Sequence, residues 1–484
     1  MNRRVILHTV GRIIQLEAVL LLLPLAVSLY YGEWDGVLAF AATAAVAAAI
    51  GLTLTLTNKR GDRRIFARGG LVSVALSWVS LSMIGALPFV IGGEIPLYVD
   101  ALFETVSGFT TTGASILIDP ALLGRGMLFW RSFTHWIGGM GVIVLMMAIL
   151  PPSEGDSGRS IHIMRAEMPG PVVGKLVPRV KETAKILYMI YIFMTLLQIV
   201  LMIIGGMPVF DSVLHTFGTA GTGGFGIKSD SMAGYNPYLQ WVITVFMLLF
   251  GINFNLYYLL LIRNIRSAVR STELWCYLGI VSAATAIITC NILPAYSSFG
   301  ESLRHAAFQV ASIMTTTGYA TTDFDLWPQL SKGILFLLMI IGACAGSTGG
   351  GMKVSRVVIA ARSARQNLAR MLHPRSVRVV HFEGKPVERT TLESLSTYVT
   401  LYFFMIFLGF LILCLEPFDF ETNLSAIVSC FNNIGPGFGA VGPTQSFAAY
   451  SDLSKLVLSA AMLLGRLEII PILIAVSPST WLKK

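Results

Sequence analysis

Apolar runs separated by short polar or basic stretches recur along nearly the whole chain. The runs at 186–204, 242–262 and 398–415 come close to the roughly 20 residues that a helix needs to cross the hydrocarbon core of a bilayer. The pattern predicts ten spanning helices, near residues 8–30, 37–57, 71–92, 127–150, 183–206, 237–262, 273–293, 333–361, 395–415 and 453–476. We therefore expect an all-α polytopic membrane protein.

Four connections between these helices are too long and too apolar to be simple loops. Each contains an apolar stretch of about 10–12 residues, which is too short to span a bilayer. The stretches lie at 99–109, 209–219, 303–314 and 422–431. Each starts near an acidic residue and leads into a run that contains glycine. A short helix that enters the membrane and returns fits this pattern.

The four polar returns can be aligned with one another. The first and third share Thr-Thr-Thr-Gly, and the fourth reads Asn-Asn-Ile-Gly. The aligned residues are Thr111, Thr112 and Gly113 in the first copy, Thr316, Thr317 and Gly318 in the third, and Asn433, Ile434 and Gly435 in the fourth. The second copy, with Ala220, Gly221, Thr222 and Gly223, is less regular. We align Gly223 with the other three glycines, and Gly221 and Gly224 remain alternatives.

From about residue 71 onward the chain is thus predicted to contain four copies of helix, half-helix and helix, and an internal repeat of this kind dominates a fold. We assign two extra N-terminal membrane helices and a basic loop to 1–70, repeat 1 to 71–182, repeat 2 to 183–272, repeat 3 with a glycine-rich interruption and a basic loop to 273–392, and repeat 4 to 393–484.

Charge supports a membrane location and gives an orientation. Charged residues make up 13% of the chain, against roughly 25% in a soluble domain. The net charge of +9 comes from basic residues clustered near 59–68, 159–185, 263–270 and 353–389. With the N-terminus inside, the predicted helices put all four clusters on one side, which the positive-inside rule makes the cytoplasm. Because these charges lie at membrane-helix ends, we predict no nucleic-acid binding.

The aligned returns suit a path for cations. Irregular backbone at membrane depth is tolerated only where protein buries it or where it lines a water-filled path. Backbone carbonyls can replace the hydration shell of a cation, and glycine tolerates φ values that other residues resist. Short helices that end at the path would direct their partly negative C-terminal ends towards the ion. The aligned residues therefore predict a selectivity filter of four segments.

A second glycine-rich run interrupts the eighth predicted helix near mid-depth and comprises Gly346, Ser347, Thr348, Gly349, Gly350 and Gly351. It is not a phosphate-binding loop, because Met352 separates the last glycine from Lys353 and no strand precedes it. Small residues allow close helix packing. We favour another interpretation, a flexible segment below the filter that blocks or opens the path.

Arg466 lies in an apolar stretch that otherwise carries only Glu468. A charge inside a membrane is costly unless it faces water or a partner. Two interpretations remain for this arginine. It forms a structural salt bridge to another helix, or it lines the path and sets an electrostatic barrier to cations.

Several other polar residues near the helix ends need an interpretation. Arg131 and His135 are interpreted as helix-end anchors, and since His135 has no evident catalytic partner, we predict that the chain is not an enzyme. Acidic residues near the outward ends of the half-helices either concentrate cations or cap these helices; they are Glu104, Asp211, Glu301 and Glu421. The five cysteines lie mostly in apolar segments and indicate neither a disulfide framework nor a metal site.

Taken together, these motifs resemble the Trk/Ktr/HKT potassium-transport superfamily, and within it the TrkH subunits, over nearly the whole chain. The segments that carry the resemblance are Ser-Gly-Phe-Thr-Thr-Thr-Gly-Ala at 107–114, Arg-Ser-Phe-Thr-His-Trp-Ile-Gly-Gly-Met-Gly at 131–141, Thr-Thr-Thr-Gly-Tyr at 315–319, the glycine-rich run at 346–351, Asn-Asn-Ile-Gly-Pro-Gly at 432–437 and Gly-Arg-Leu-Glu at 465–468.

The resemblance implies four helix–pore-loop–helix repeats around one path, potassium uptake across the bacterial inner membrane, and a homodimer within the membrane lipid. It also implies a gate at 346–351 with Arg466 facing the path. Glycine at all four filter positions goes with selection of potassium over sodium in this family. A cytosolic nucleotide-binding ring of the TrkA type would bind the regulatory nucleotide, so we expect no cofactor in this chain.

Two transport mechanisms would use the same path. One is a channel-like translocator, and the other is a proton- or sodium-coupled potassium symporter. Few intramembrane carboxylates are available for a proton relay, which favours the channel-like mechanism.

Overall fold

The computed structural model describes residues 3–58, 67–141, 180–373 and 379–481, and these are mostly helical, which confirms the predicted fold class. The helices are α1 Arg3–Leu20, α2 Leu22–Tyr31, α3 Trp34–Thr57, α4 Ala67–Gly85, α5 Leu87–Ile91, α6 Tyr98–Phe109, α7 Arg125–Gly139, α8 Val180–Ile204, α9 Val209–Ala220, α10 Pro237–Phe250, α11 Phe254–Leu261, α12 Ile265–Val269, α13 Thr272–Ile292, α14 Phe299–Met314, α15 Gln329–Ile341, α16 Val354–Leu372, α17 Arg389–Leu413, α18 Phe420–Asn432, α19 Asp452–Arg466, α20 Ile470–Val476 and α21 Pro478–Trp481.

Short elements complete the part of the chain that the structure describes. An antiparallel ribbon joins β1, His381–Phe382, to β2, Lys385–Pro386, with Phe382 opposite Lys385. Single 3-10 turns lie at Pro120–Leu122, Leu293–Ala295, Phe324–Leu326, Gly439–Val441 and Phe447–Ala449.

Long apolar helices form the outer part of the structure. Among the described residues, six helical stretches are long and apolar enough to cross a membrane: Arg3–Tyr31, Trp34–Thr57, Arg68–Ile91, Ala184–Ile204, Thr272–Ala295 and Arg389–Leu413. Each of them overlaps one of the predicted spans. Their exposed faces carry large apolar side chains such as Leu38, Phe193 and Leu411, as expected for helices that meet lipid.

The remaining predicted spans are bent, broken or only partly described. The span at 237–262 bends by 88° between α10 and α11. The span at 333–361 is broken between α15 and α16, and the span at 453–476 between α19 and α20. α7 covers the start of the span at 127–150, of which residues 142–150 lie outside the described ranges. Each break leaves main-chain groups that need partners inside a membrane.

All four predicted half-helices are present, as α6, α9, α14 and α18, and each ends within one residue of its predicted end. Helix α14 starts earlier than predicted because Ser298 caps it, accepting a hydrogen bond from the N–H of Glu301 at 3.2 Å. A serine in this position satisfies one of the free N–H groups of a first turn.

The half-helices pack in a cycle. Each one contacts the helix that follows the half-helix of the preceding copy: α9 contacts α7, α14 contacts α10, α18 contacts α15, and α6 contacts α19. Because the last of these contacts joins the fourth copy to the first, the four copies close into a ring. The N-terminal helices lie outside this ring, with α1 packed on α4 and α2 packed on α7.

Candidate functional site

All four half-helices end in the same backbone turn. The residues Thr111, Thr222, Thr316 and Asn433 have φ values from 54° to 59°. In each turn this residue donates its N–H to the carbonyl three positions earlier, and the next N–H donates to the carbonyl five positions earlier. This is the Schellman pattern that ends many helices, usually with glycine. Threonine rarely adopts such a conformation, and its recurrence in three copies indicates a functional constraint.

A glycine with positive φ follows two residues later in every copy. The φ values are 81° at Gly113, 73° at Gly224, 85° at Gly318 and 104° at Gly435. Our alignment of Gly223 with the other glycines was therefore wrong. Gly223 corresponds to Thr112, and Ala220 and Gly221 belong to the end and cap of α9. Several glycines in a row fit the motif equally well in sequence, and only the backbone conformation distinguishes them.

The four glycines bring neighbouring segments into direct contact. A Cβ atom placed on the glycine of one copy would collide with a main-chain carbonyl of the next copy. The colliding pairs are Gly113 with Gly223, Gly224 with Thr317, Gly318 with Ile434, and Gly435 with Thr112. The last pair, at 2.8 Å, closes the cycle. The segments thus form a ring of backbone that admits no side chain at these glycine positions.

Hydroxyl groups stiffen the first and third segments. Thr110 and Thr112 share a hydrogen bond of 2.8 Å between their Oγ1 atoms, and so do Thr315 and Thr317. Asn433 donates from Nδ2 to Thr112 Oγ1 at 3.0 Å, which ties the fourth segment to the first. These threonines are completely buried. These hydrogen bonds preorganise the backbone of the first, third and fourth segments.

The glycine-rich interruption lies against this ring. Gly350 donates its N–H to Thr316 Oγ1 at 2.6 Å. A Cβ on Gly349 would lie 2.8 Å from the carbonyl oxygen of Thr315, and a Cβ on Gly350 would collide with that of Asn432. Small residues are required here because the interruption directly contacts the backbone of the third and fourth segments.

The bend between α10 and α11, together with Glu273 of α13, bonds the part of the chain just before and at the start of the interruption. Phe254 donates its N–H to the Gly346 carbonyl at 3.0 Å, and Cys344 donates to the Gly251 carbonyl at 3.1 Å. The buried carboxylate of Glu273 accepts from the N–H of Ala345 at 2.7 Å. These bonds satisfy main-chain groups that the broken helices leave free.

Arg466 joins the interruption to the first repeat. Its guanidinium donates to the Thr348 carbonyl at 2.8 Å and to the Gly138 and Gly139 carbonyls at 2.5 and 2.7 Å. Glu468 forms an ion pair with Arg356 instead, at 2.7 Å. A planar guanidinium suits several carbonyl acceptors at once. Arg466 therefore connects the two broken helices α15–α16 and α19–α20 with the end of α7.

Arg131 and Glu104 form a buried ion pair behind the first segment. The Nε–Oε1 distance is 2.5 Å, and the side chains are 3% and 0% exposed. Glu104 also accepts hydrogen bonds at 3.0 Å from the Ser115 hydroxyl and the Ile116 N–H. We expect Glu104→Gln to lower the free energy of unfolding by on the order of 3 kcal/mol, because it leaves the Arg131 charge buried and unpaired.

Thermal unfolding in detergent would measure this loss. The matched control is Glu393→Gln, which breaks the exposed Arg389–Glu393 pair at 2.9 Å, with side chains 91% and 65% exposed. Surface pairs of this kind contribute about 0–1 kcal/mol. Equal effects of the two variants would contradict a structural role for the buried pair.

The other outward acidic residues all have partners. Asp211 accepts a hydrogen bond from the Tyr235 hydroxyl at 3.3 Å, and Glu301 from the Ser297 hydroxyl at 2.9 Å. Glu421 pairs with Lys332 at 2.6 Å. These contacts favour a role in holding the half-helices over a role in concentrating cations.

Two further side chains contact the second segment, and sequence reasoning did not assign them to the site. His135 was interpreted as a helix-end anchor, but it lies within α7, fully buried, with its ring against Phe225. Tyr319 directly follows Gly318 and is also fully buried. In the described ranges, no cluster of three or more His, Cys, Asp or Glu side chains could hold a metal ion.

Comparison with known proteins identifies relatives that match the full length of the chain. The profile of the TrkH family, described as cation transport proteins, matches residues 37–483. The Trk system potassium uptake protein TrkH of Salmonella typhimurium is 35% identical, covering 99% of this chain and all of the relative. TrkG of Escherichia coli K12, also a Trk system potassium uptake protein, is 35% identical over 99% of this chain and 98% of its own length. The crystal structure of the potassium transporter TrkH from Vibrio parahaemolyticus superposes over the whole of both chains with a TM-score of 0.89 and 32% sequence identity.

Proposed function

Since the chain belongs to the TrkH family of cation transport proteins, we propose that it carries potassium ions into a bacterial cell, across the inner membrane, through the ring of four filter segments. The family consists of transport proteins, which agrees with our prediction that the chain is not an enzyme. The observation that carries the proposal is the closed cycle of glycine contacts between neighbouring copies. Four backbone turns of the same conformation around one axis can offer a dehydrated cation a set of carbonyl oxygens.

We include in the filter Thr111, Thr112, Gly113, Thr316, Thr317, Gly318, Asn433, Ile434 and Gly435, and in the second segment Thr222, Gly223 and Gly224. The glycines at 113, 224 and 318 are only half-buried, whereas the threonines before them are fully buried. Gly435 is buried, so solvent reaches the ring at three of its four glycines, and an ion would exchange its water for protein oxygens there.

We propose that residues 346–351 and Arg466 form the gate. The interruption contacts the third and fourth segments, and Arg466 bonds it to the first repeat. A positive charge beside the ring opposes a cation on the path. Rearrangement of these few hydrogen bonds would move both the interruption and the positive charge of Arg466 relative to the path.

The partners remain proposals from the family. We propose a homodimer in the membrane lipid and a cytosolic nucleotide-binding ring of the TrkA type, with the nucleotide on that ring. Helix α16 is the docking surface that we favour on this chain. It exposes the basic residues Arg362 and Arg365 beside the apolar Leu368 and Met371, on the side predicted to be cytoplasmic.

Ion flux into liposomes that contain the purified protein tests the proposal. We expect uptake of potassium and rubidium and exclusion of sodium and lithium. A reversal potential that follows the potassium gradient alone would support the channel-like mechanism, and a dependence on a proton or sodium gradient would support coupled symport. Equal uptake of all four ions would contradict a selective filter.

A further inference from the structure

The second filter segment lacks the internal support that stiffens the first and third. Gly221 and Gly223 occupy the positions of the hydroxyl-bonded pairs Thr110–Thr112 and Thr315–Thr317. A segment with three glycines in four residues has the greatest conformational freedom of the four. A filter discriminates ions only if its segments keep their positions, so the second segment must be held from outside.

His135 of the first repeat fills the space where the threonine side chains would lie. A Cβ on Gly221 would collide with the His135 main chain, and a Cβ on Gly223 would collide with its ring. The imidazole Nδ1 lies 2.8 Å from the Gly108 carbonyl, and Nε2 accepts from the N–H of Phe225 at 3.3 Å. A carbonyl only accepts and an N–H only donates, so both bonds form together in the neutral ring protonated on Nδ1.

Tyr319 of the third repeat holds the same residue, Phe225, from the other side. Its hydroxyl lies 3.3 Å from the Phe225 carbonyl oxygen and 3.1 Å from the His215 carbonyl oxygen, and its single proton is shared between these two acceptors. The hydroxyl lies in a notch at Gly218, where a Cβ would collide with it. Phe225, the residue after the filter glycine Gly224, thus has its N–H bonded to one neighbouring repeat and its carbonyl bonded to the other.

We propose that His135 and Tyr319 are positioning residues that clamp the second filter segment between its two neighbours and thereby determine the selectivity of the filter for potassium over sodium. The inference rests on the proposed function. The counterparts of Tyr319 in the first and fourth copies are Ala114 and Pro436, which have no side-chain donor. The clamp is therefore specific to the segment that needs it.

Tyr319→Phe tests the clamp with the loss of one oxygen atom. The His215 carbonyl keeps a hydrogen bond from Thr219 Oγ1 at 2.8 Å, so the variant leaves it bonded. We expect the permeability ratio of potassium to sodium, measured from reversal potentials in planar bilayers, to fall by about three- to tenfold, as the loss of one hydrogen bond predicts. The control is Tyr450→Phe, which removes a buried hydroxyl bonded to Asn423 Oδ1 at 2.9 Å away from the filter segments.

Gly218→Ala supplies a second route to the same contact. The new methyl group displaces the Tyr319 hydroxyl and should lower the ratio in the wild-type background. In the Tyr319→Phe background that hydroxyl is absent. The loss of selectivity in the double variant should therefore be smaller than the sum of the losses in the two single variants. Fully additive effects would overturn the clamp, because they would mean that Gly218 and the hydroxyl act separately.

His135→Phe keeps a ring beside Gly221 and Gly223 and removes both hydrogen bonds. We expect a loss of selectivity at least as large as that of Tyr319→Phe, with both variants compared at matched thermal stability. If the wild type is selective and the permeability ratio is unchanged in both Tyr319→Phe and His135→Phe, the clamp is overturned and the proposed function stands. A wild type that does not distinguish potassium from sodium overturns the proposed function, and the clamp with it.

Discussion

Replacing Gly318 with serine is expected to remove most of the discrimination between potassium and sodium, with a fall of at least about tenfold in the permeability ratio. Gly318 has a φ of 85°, which residues with a side chain rarely adopt. Its Cβ would also collide with the carbonyl oxygen of Ile434 in the next segment. The third or fourth segment must therefore shift, and a displaced carbonyl no longer matches a dehydrated potassium ion. Uptake of potassium, rubidium, sodium and lithium into liposomes measures the effect.

Gly333→Ser is the matched control for this substitution. Gly333 lies in α15, has no positive φ, and has no neighbouring atom within 4 Å of the place where a Cβ would lie, so serine is accommodated there without strain. Gly113→Ser should behave like Gly318→Ser, because its Cβ would collide with the Gly223 carbonyl. Gly224→Ser should disturb selectivity for the same reason, through the Thr317 carbonyl. Wild-type selectivity in Gly318→Ser would place the ion path elsewhere.

Sequence reasoning located the half-helices because two independent signals agreed. The stretches are too short to span a membrane, and each leads into glycine. α6 and α14, for example, end at the predicted residues 109 and 314. The threonine repeats then aligned the first and third segments directly. Length and composition are local properties, and a local pattern determines where a short helix stops.

The features that sequence reasoning missed depend on three-dimensional contacts. The register of the second segment follows from φ at Gly224, which neighbouring glycines conceal in the sequence. The break after α19 includes Ile469 with a φ of 58°, and a β-branched residue gives no warning of such a conformation. The role of His135 arises from a side chain 90 residues away from the peptide that it bonds. None of these has a periodic signature.

Arg466→Ala is expected to raise the rate of potassium uptake by about tenfold, which corresponds to a barrier lower by about 1.4 kcal/mol. The substitution removes a positive charge beside the path and breaks the bonds to the carbonyls of Thr348, Gly138 and Gly139. Both changes favour an open path. The control is Arg266→Ala, which removes the same charge from an exposed position of α12. Initial uptake rates in liposomes, at matched protein content and thermal stability, give the comparison.

Arg466→Lys separates the two physical contributions of this residue. Lysine keeps the charge but loses the planar fork, so it cannot bond all three carbonyls in the same way. If charge repulsion forms the barrier, the lysine variant conducts like the wild type. If the bonds that fasten the interruption to α7 form the barrier, it conducts like the alanine variant. An unchanged rate in a stable Arg466→Ala protein would leave the arginine with a purely structural role and would move the gate to other contacts of residues 346–351.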